Sequence, residues 1–156
     1  MTFNSEKILD RTSWKLLQAL QTNGRMSFSE LGRRVGLTSP AVAERLRRME
    51  EAGVITGYRA DVDPEKVGLS LTAIVGLTTL PDRYPQIITL IQNMPEVLEC
   101  HHVTGNYSFV MKIIARSTTH LEEAIAQLSQ YGSTTTSIVL SSPIKVREIT
   151  NIFVRE

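Results

Sequence analysis

Two clusters in this sequence contain side chains of the types that bind anions, ligate metals or act as nucleophiles. Three arginines lie within four positions, at Arg45, Arg47 and Arg48. Each guanidinium carries a permanent positive charge and a planar set of N–H donors that match phosphate oxygens. The second cluster is the run from Cys100 to His102, in which a thiol precedes two imidazoles. Such groups ligate zinc or copper, or pair as nucleophile and base, when the fold brings enough of them together.

The cysteine and histidine run falls within VLECHHVT, residues 97–104, which is predicted to be a strand. Successive residues of a strand face opposite sides, so Cys100 and His102 share one face while His101 points away. Two ligands fall short of the four that a structural zinc site needs. No paired carboxylates, serine motif or glycine-rich phosphate loop accompanies them. We therefore predict no metal site, no cofactor and no enzyme activity.

The arginine cluster lies in a locally basic part of a chain whose net charge is only +1. Between Arg25 and Arg59 there are seven arginines and four glutamates, whereas the part from Pro64 onward has seven basic and eight acidic residues. A basic region of this kind is the electrostatic footprint of a nucleic-acid-binding surface. The first 60 residues are therefore predicted to have a different function from the rest.

The composition favours a globular protein of the cytoplasm. Hydrophobic residues make up 42% and charged residues 21% of the 156 residues, which is typical of soluble domains. No apolar run reaches the roughly 18 residues of a membrane helix, and the first residues lack the apolar stretch of a signal peptide. The single cysteine forms no internal disulfide, as expected in a reducing compartment. No membrane partner is predicted.

Three helices are predicted to position the arginines. Asp10 caps a helix over residues 11–23. The capping box Ser27–Glu30 opens a short second helix, because the serine hydroxyl and the glutamate carboxylate satisfy each other's free backbone amides. The turn Gly36–Thr38 then separates it from a third helix over residues 39–52, for which Thr38 or Ser39 is the predicted cap.

The third helix is predicted to have one buried face and one exposed face. Val42, Leu46 and Met49 recur at i, i+4 and i+7, within about 60° of one another around the helix axis. Arg47 lies opposite this apolar seam, whereas Arg45 lies at its edge. Two helices joined by a short turn containing glycine, with a further helix in front, form the helix-turn-helix pattern.

A recognition helix enters the major groove with its N-terminal residues toward the base edges, while the helix before it crosses the phosphate backbone. Short or polar residues at the start of the third helix are therefore predicted near bases, and the arginines near phosphates. The predicted DNA-binding residues are Arg33, Arg34, Thr38, Ser39, Pro40, Ala41, Glu44, Arg45, Arg47 and Arg48. Two alternatives stay open: the basic face is simply solvated, or Arg45 pairs with an acid such as Glu30.

The second half of the chain has the element order of a ferredoxin-like domain. The predicted elements are strands at 69–80, 97–104, 107–115 and 134–141, with helices at 84–94 and from the capping box Thr119–Glu122. The order βαββαβ places two helices on one face of an antiparallel sheet. His120 is expected at the surface beside the second helix cap. The fold class is α+β, with a winged helix-turn-helix domain at 1–60, a linker at 61–68 and a ferredoxin-like effector and oligomerisation domain at 69–156.

Two segments and one surface complete the predicted organisation. VITGYRADV, residues 54–62, alternates and predicts a strand or a small wing. The C-terminal SPIKVREITNIFVRE, residues 142–156, is amphipathic without a clear period, and either adds an edge strand or contacts a neighbouring subunit. The sheet face without helices is predicted to be apolar enough to need a partner, which favours a homodimer through the sheet.

Four blocks in this order give the chain a resemblance to a known family: NGR, SELGRRVGL, ERLRRMEEAGVI and VTGNY. The N-terminal part resembles the DNA-binding domain of the Lrp/AsnC (leucine-responsive regulatory protein and asparagine regulator) transcription regulators. VLECHHVTGNYSFVMKI with TTSIVLS resembles their effector domain, so the resemblance covers essentially the whole chain. It implies a cytoplasmic, nucleoid-associated regulator that binds double-stranded DNA and assembles into dimers or octamers.

The resemblance also implies a site for an amino-acid effector between dimers. Carried over to this sequence, the site consists of Gly105, Asn106, Tyr107, Ser108, Thr134, Thr135 and Thr136. Ser108 stands where many members have aspartate, which removes a charge-assisted partner for the ligand's ammonium group. Ser13 also stands where the family usually has aspartate, and this is expected to change only a local cap. The alternative for the Gly-Asn pair is a plain β-turn that needs these residues for its backbone angles.

The predicted function is therefore a sequence-specific DNA-binding transcription regulator, modulated by a small amino-acid-like effector. Its affinity is expected to come mainly from phosphate neutralisation, and its sequence preference from the start of the third helix. The rival hypothesis is a ligand-binding module or small enzyme on the ferredoxin-like domain, with no DNA role. The rival predicts ligand binding or turnover without salt-dependent DNA affinity, and no complete catalytic set supports it.

Overall fold

The structure, a computed structural model, describes residues 8–151 and divides into two compact units. One unit comprises the described residues up to 60 together with those from 144, and the other comprises residues 61–143. Within the described part of the chain, no helix is long and apolar enough to cross a membrane. The first unit contains the predicted helix-turn-helix region, and the second contains the predicted sheet.

Three helices form the first unit: α1 (Arg11–Thr22), α2 (Phe28–Val35) and α3 (Ser39–Glu51). Each begins at a predicted cap, because Asp10, Ser27 and Thr38 all accept a hydrogen bond from a backbone N–H in the first helical turn. Both hydrogen bonds of the predicted capping box at Ser27 are present. The helices enclose a small core whose buried residues are Leu16, Ala19, Met26, Leu31, Val42, Leu46 and Met49.

The strand or wing predicted for residues 54–62 is wrong, because the described chain contains no strand between α3 and residue 63. Val54 and Ile55 instead donate their backbone N–H groups to the carbonyl oxygen of Met49, at 2.8 and 3.1 Å, and pack against the helical core. A strand needs a neighbouring strand to pair its backbone groups, and the described residues provide none here. The helix-turn-helix is therefore confirmed without a wing.

The second unit confirms the predicted βαββαβ order. Its elements are β1 (Leu71–Thr78), α4 (Tyr84–Gln92), β2 (Val97–His102), β3 (Phe109–Ala115), α5 (Thr118–Ser129) and β4 (Ser133–Ile138). The strand order in the sheet is β2-β3-β1-β4, and all three neighbouring pairs are antiparallel. The predicted linker contains a short 3₁₀ helix at Pro64–Val67.

The two helices of the second unit cover one face of the sheet. Ala73, Val75 and Leu77 alternate along β1 and are at most 1% exposed. The same face of β3 contributes Phe109, Met111 and Ile113, which lie directly opposite Leu77, Val75 and Ala73, and the helices add Ile87, Ile91, Leu121, Ala124 and Leu128. The intervening Ile74 on the other face is 39% exposed. The sheet therefore has one face in the core and one face that the helices leave open.

The described part of the C-terminal segment differs from one of its two predicted alternatives, the edge strand. The described residues 139–151 contain no strand, so the segment does not add an edge strand in the described chain. From Ile144 onward it belongs to the helical unit rather than to the predicted domain at 69–156. Residues 152–156, the end of the predicted amphipathic segment, lie outside the described residues.

Hydrogen bonds to α1 explain why this segment belongs to the helical unit. The Gln21 side-chain amide donates to the Ile149 carbonyl at 3.0 Å, and its oxygen accepts the Ile149 N–H at 2.8 Å. Next to it, the Thr22 hydroxyl donates to the Glu148 carboxylate at 2.7 Å. One glutamine side chain thus satisfies both backbone groups of one residue, as a neighbouring strand would do.

Candidate DNA-binding surface and effector site

Two glycines of different function shape the turn between α2 and α3. Gly36 ends α2 with a φ of 73°, a left-handed conformation that glycine adopts without strain. At Gly32 the backbone angle is ordinary, but an added Cβ would collide with the carbonyl oxygen of Leu37. The close approach at Gly32 and the left-handed angle at Gly36 together place the start of α3 directly against α2.

α3 presents its apolar seam to the core and its basic side chains to solvent. Val42, Leu46 and Met49 are 0 to 2% exposed, as their spacing predicts. On the other side of the helix, the side chains of Arg47 and Arg48 are 54% and 67% exposed. Arginine side chains at these positions are accessible to an external anion such as a phosphate.

The remaining predicted DNA-binding residues lie close to this turn. Arg33 and Arg34 occupy the last turn of α2, are exposed, and form no ion pair with any described residue. At the start of α3, Thr38 and Pro40 are exposed, whereas Ser39 and Ala41 are half-buried. The structure therefore brings the predicted DNA-binding residues together around one turn of one unit.

An ion-pair network on α3 engages the two exposed arginines. The Arg47 side chain donates from Nε and Nη2 to the two oxygens of Glu44, each at 2.9 Å, and from Nη1 to Glu51. Arg48 Nε donates to the same carboxylate at 2.8 Å. These pairs were not predicted from the sequence, although their i, i+3 and i, i+4 spacing is the signal for them.

The network shifts the acidity of Glu44 strongly. Hydrogen bonds from Arg47, and then from Arg48, lower the pKa of the Glu44 carboxyl from 4.5 to about 2. The two carboxylates also raise the pKa of Arg47, with Glu44 as the larger cause. Glu44 is therefore fully ionised at neutral pH, and its charge is shared between two guanidinium groups.

Arg45 points back into its own unit and pairs with an acid, as one alternative predicted, but this acid is Asp10 and not Glu30. Its Nη1 donates to the two Asp10 oxygens at 2.9 and 2.8 Å and to the buried Ser13 hydroxyl at 3.1 Å. Glu30 instead closes the capping box with Ser27, and the Ser27 hydrogen bonds lower the pKa of Glu30. Arg45 thus connects α3 to the beginning of α1.

Ser13 has a larger role than the local change that the sequence predicted. It is 1% exposed, and its backbone N–H donates to Asp10 at 2.7 Å while its hydroxyl accepts from Arg45. Burial of Asp10 opposes ionisation, but the hydrogen bonds from Ser13 and Arg45 outweigh it and lower the pKa of Asp10. A serine here is small enough to be buried and still serves as an acceptor for Arg45.

The hairpin between β2 and β3 is the predicted effector loop. Val103 N–H donates to the Ser108 carbonyl at 3.1 Å and closes the loop, while Gly105 has a φ of 108° that disfavours any other residue. The hydroxyl of Thr78 donates to the Asn106 carbonyl at 2.8 Å, which fastens the loop to the end of β1. The alternative of a plain β-turn and the effector site both need this glycine.

Tyr107 and Ser108 attach the same hairpin to β1 by different means. The Tyr107 ring lies over Gly76, so that a Cβ at position 76 would come within 2.6 Å of the ring. Ser108 is 9% exposed; its hydroxyl accepts the Thr79 N–H at 3.2 Å and donates to the Thr79 carbonyl at 3.1 Å. The Ser108 hydroxyl therefore both donates to and accepts from the protein's own backbone.

The three threonines predicted to line the effector site do not share one face of the sheet. Thr134 and Thr136 lie opposite the core residues Leu77 and Val75 of β1, whereas Thr135 lies opposite Gly76. Directly opposed residues of an antiparallel pair have side chains on the same face. Thr135 therefore shares a face with the Tyr107 ring, and the other two face the helices.

The cysteine and histidine run lies on β2, as predicted; Cys100 and His102 lie opposite the core residues Met111 and Phe109, whereas His101 lies opposite Val110 on the other face. Cys100 is exposed, and partial burial of the thiol raises its pKa. The His102 ring packs against the rings of Tyr84 and Phe109, with centroids 5.1 and 5.2 Å apart. His101 lies 3.8 Å from the Glu99 carboxylate. Among the described residues, no group of three or more metal-ligating side chains is brought together.

The structure at the start of α5 differs from two predictions, one for the helix cap and one for the exposure of His120. The cap is Ser117 rather than Thr119, because the Ser117 hydroxyl accepts the N–H of His120 at 3.1 Å. His120 is partly buried rather than a plain surface residue, and its Nε2 lies 3.0 Å from the carboxylate of Glu96. This pair connects the beginning of α5 to the segment before β2.

A capped helix-turn-helix with an exposed basic face, in one chain with a ferredoxin-like sheet and a glycine hairpin, defines a ligand-responsive DNA-binding regulator. Residues 9–50 match the AsnC-type helix-turn-helix domain, and residues 72–149 match the Lrp/AsnC ligand binding domain. The chain belongs to the Lrp/AsnC family of transcription regulators.

Individual relatives agree with this assignment. The HTH-type transcriptional regulator YezC of Bacillus subtilis is 40% identical over 86% of this chain and 95% of its own length. The regulatory protein AsnC of Escherichia coli is 31% identical, covering 88% of this chain and 93% of its own. The structure of a Neisseria meningitidis transcriptional regulator in complex with L-methionine superposes with a TM-score of 0.85 at 29% identity, covering 90% of this chain and 96% of the other.

These relationships distinguish between the DNA-binding regulator and the rival hypothesis of an enzyme or ligand-binding module. The relatives are transcription regulators and not enzymes, and both parts of the chain match domains of that family. The chain is a DNA-binding transcription regulator with a ligand-binding domain. The rival hypothesis of an enzyme or a sequestering module without a DNA role is excluded by this membership.

Proposed function

We propose that this chain is a homodimeric regulator of the cytoplasmic nucleoid that binds double-stranded DNA through α2 and α3 and responds to an amino-acid-like effector at the β2–β3 hairpin. The observation that carries the DNA-binding part is the asymmetry of α3. Its apolar seam at Val42, Leu46 and Met49 is completely buried, while Arg47 and Arg48 are exposed on the other side. A recognition helix needs this arrangement to enter the major groove.

The proposed DNA contacts are of two kinds, contacts with phosphates and contacts with base edges. Arginines suit phosphates because their charge releases condensed counterions from DNA, and short residues at the start of α3 suit base edges because they allow close approach. We assign phosphate contacts to Arg33, Arg34, Arg47 and Arg48, and base-edge positions to Thr38, Ser39, Pro40, Ala41 and Glu44. Arg45 is assigned the role of a positioning residue, because Asp10 and Ser13 hold its guanidinium.

Salt-titrated fluorescence anisotropy with a duplex from upstream of the chain's own gene tests this assignment. The association constant should fall linearly with salt on logarithmic axes, by roughly 0.9 per phosphate neutralised. R47A and R48A should each weaken binding to the upstream duplex and reduce that slope by about one unit. An unchanged slope for both variants would remove these residues from the interface, and affinity that does not depend on salt would contradict the proposed mode of binding.

The open face of the sheet supports the proposed homodimer. Ile74 of β1 is 39% exposed there, and a twofold interface would bury the same patch of both subunits. Light scattering should give the mass of a dimer or of an octamer built from dimers. I74E should lower this mass, because it places a charge on the proposed interface. I88E is the matched control, since Ile88 is exposed on α4 rather than on the sheet; an equal loss of mass in both variants would contradict the sheet interface.

The proposed effector is a small molecule with the chemistry of an amino acid. The ligand-binding domain match and the L-methionine complex of the Neisseria relative support this class. Gly105, Asn106, Tyr107 and Thr135 are the proposed contacts on the open face, whereas Ser108, Thr134 and Thr136 contribute to the framework. Because the Ser108 hydroxyl is occupied by Thr79, an ammonium group would have to bind neutral oxygen atoms in place of a carboxylate.

A thermal-shift screen with the common amino acids tests the effector part. A ligand that binds the native protein raises its unfolding temperature by mass action, and the rise grows with ligand concentration. We expect one or a few amino acids to raise it, and Y107A to abolish the rise. If none of them does so, the amino-acid class is wrong for this chain, although the DNA-binding function stands on its own experiment.

A further inference from the structure

The recognition helix α3 has no net charge, and its arginines are all ion-paired. α3 contains three arginines and three glutamates. Arg45 is held by Asp10, and both exposed arginines are held by carboxylates of their own helix. DNA attracts proteins without regard to sequence through cations that replace its counterions. In the free protein, the element that is proposed to enter the groove therefore has little general attraction for DNA.

Glu44 is the centre of this neutralisation. Its two oxygens accept three hydrogen bonds, from Arg47 Nε and Nη2 at 2.9 Å and from Arg48 Nε at 2.8 Å. Glu51 reaches only Arg47, and Glu50 reaches neither arginine because it accepts from the hydroxyl of Tyr58 at 2.8 Å. Of the three acids on the helix, only Glu44 restrains both arginines at once.

A phosphate must replace Glu44 before it can accept from Nε and Nη2 of Arg47 or from Nε of Arg48. A bidentate guanidinium–carboxylate pair and a guanidinium–phosphate pair have similar chemistry, so the exchange alone yields little free energy. It also leaves a carboxylate facing an anionic duplex. That carboxylate is compensated only where a base edge offers it a hydrogen-bond donor, and the amino group of cytosine or adenine is such a donor in the major groove.

We propose that Glu44 is a specificity-determining residue, which pairs with Arg47 and Arg48 in the free protein and releases them to phosphates on sites that present an amino donor to its carboxylate. This inference rests on the proposed DNA-binding mode of α3. It gives Glu44 two linked roles: suppression of binding to arbitrary DNA, and recognition of a cytosine or adenine at one position in each half-site.

The test compares E44Q with E50Q. Both substitutions remove one negative charge from the same helix while keeping the size of the side chain, but only E44Q removes the partner of Arg47 and Arg48. Anisotropy titrations measure affinity for a random-sequence duplex and for the upstream duplex at several salt concentrations. E44Q should raise affinity for random DNA roughly eightfold at 0.1 M salt and make the salt slope steeper by about 0.9, as one more phosphate contact requires. The preference for the upstream duplex should fall.

E50Q should leave the preference between the two duplexes unchanged. An equal effect of E44Q and E50Q would overturn the proposal, because net charge alone would then explain the gain. If E44Q raises the affinity for both duplexes by the same factor, Glu44 does not determine specificity. If E44Q leaves the affinity for random DNA unchanged, Glu44 does not suppress binding to arbitrary DNA. E44D, which keeps the charge, should retain the low random-DNA affinity of the wild type and covers the case in which E44Q fails to fold.

The wild-type titration separates this inference from the proposed function. If the wild-type protein binds neither duplex at low salt, the proposed DNA-binding mode fails before any variant is compared. If the wild type binds and the variants behave alike, DNA binding stands and only the role of Glu44 is lost.

Discussion

At the scale of single residues, the three arginines that the sequence groups together have different environments. Helical spacing already separates Arg45, at the edge of the apolar seam, from Arg47 on the opposite side. The partner of Arg45 is not visible in the sequence, because Asp10 lies 35 positions away and in another helix. Pairs on one helix follow from spacing, whereas pairs between helices depend on how the helices pack.

Replacement of Arg45 should reduce stability rather than act directly on DNA contacts. R45A removes the partner of Asp10 and one donor to the buried Ser13 hydroxyl, so the free energy of unfolding should fall by roughly 1 kcal/mol. The single tryptophan, Trp14, lies in α1 and reports the helical unit during urea unfolding. R48A is the matched control: its side chain is 67% exposed and pairs only with Glu44, so stability should stay within about 0.5 kcal/mol. Equal losses would contradict the structural role of Arg45.

The Glu44 network should stabilise the protein only where Glu44 is ionised. Its pKa is about 2 in the folded protein against an ordinary 4.5, so the stabilisation is complete above pH 4.5 and is lost as the pH falls toward 2. E44Q has no such group. The difference in urea-unfolding stability between wild type and E44Q should therefore be largest near neutral pH and should disappear near pH 2. A difference that does not change with pH would show that charge is not its cause.

At the scale of elements, local signals predicted the helices of the first unit well. Caps at Asp10, Ser27 and Thr38 are decided by residues within three positions, and all three are present. The prediction failed at residues 54–62, where an alternating pattern suits a strand but no neighbouring strand pairs with it. It also misplaced the cap of α5 by two residues, because Thr119 is followed three residues later by a glutamate, as in a capping box, whereas the actual cap Ser117 is followed at that spacing by His120.

The turn between α2 and α3 should be intolerant of a methyl group at one glycine. G32A would place a Cβ against the Leu37 carbonyl oxygen, which belongs to the backbone and cannot rotate away. Overpacking of this kind costs roughly 1–3 kcal/mol of stability, and α3 should lose its orientation, so DNA affinity should fall as well. G24A is the control, because a Cβ there lies at an ordinary 3.7 Å from the Leu20 carbonyl. Urea unfolding and anisotropy measure both effects; a neutral G32A would show that the turn adapts.

At the scale of the whole molecule, the sequence predicted two parts and their element orders but not their full extent. The segment from Ile144 belongs to the helical unit, although it follows the last strand of the sheet. Gln21 and Ile149 are 128 positions apart, and a side chain that binds backbone groups leaves no periodic pattern in the sequence. The effector site was likewise placed by resemblance, and only strand register shows that Thr135 faces away from Thr134 and Thr136.

Loss of the Gln21 side chain should release the C-terminal segment from α1. Q21A removes the donor and the acceptor that satisfy Ile149, so backbone amides in residues 144–151 should exchange hydrogen faster, while those of the sheet should not change. Q18A is the control, because the Gln18 side chain is exposed on the same helix and forms no hydrogen bond with the described part of the segment. Hydrogen exchange read by mass spectrometry provides the measurement. Identical exchange in both variants and the wild type would mean that other contacts hold the segment.

Cys100 is a natural site for labelling this protein with a spectroscopic probe. It is the only thiol in the chain and is exposed on β2, an edge strand of the sheet. Because its pKa is raised, alkylation calls for mildly alkaline buffer. A nitroxide on each subunit of a twofold assembly would yield a single inter-spin distance, whereas an octamer would yield several. Pulsed dipolar spectroscopy of the unmutated protein can therefore count subunits while effector and DNA are added.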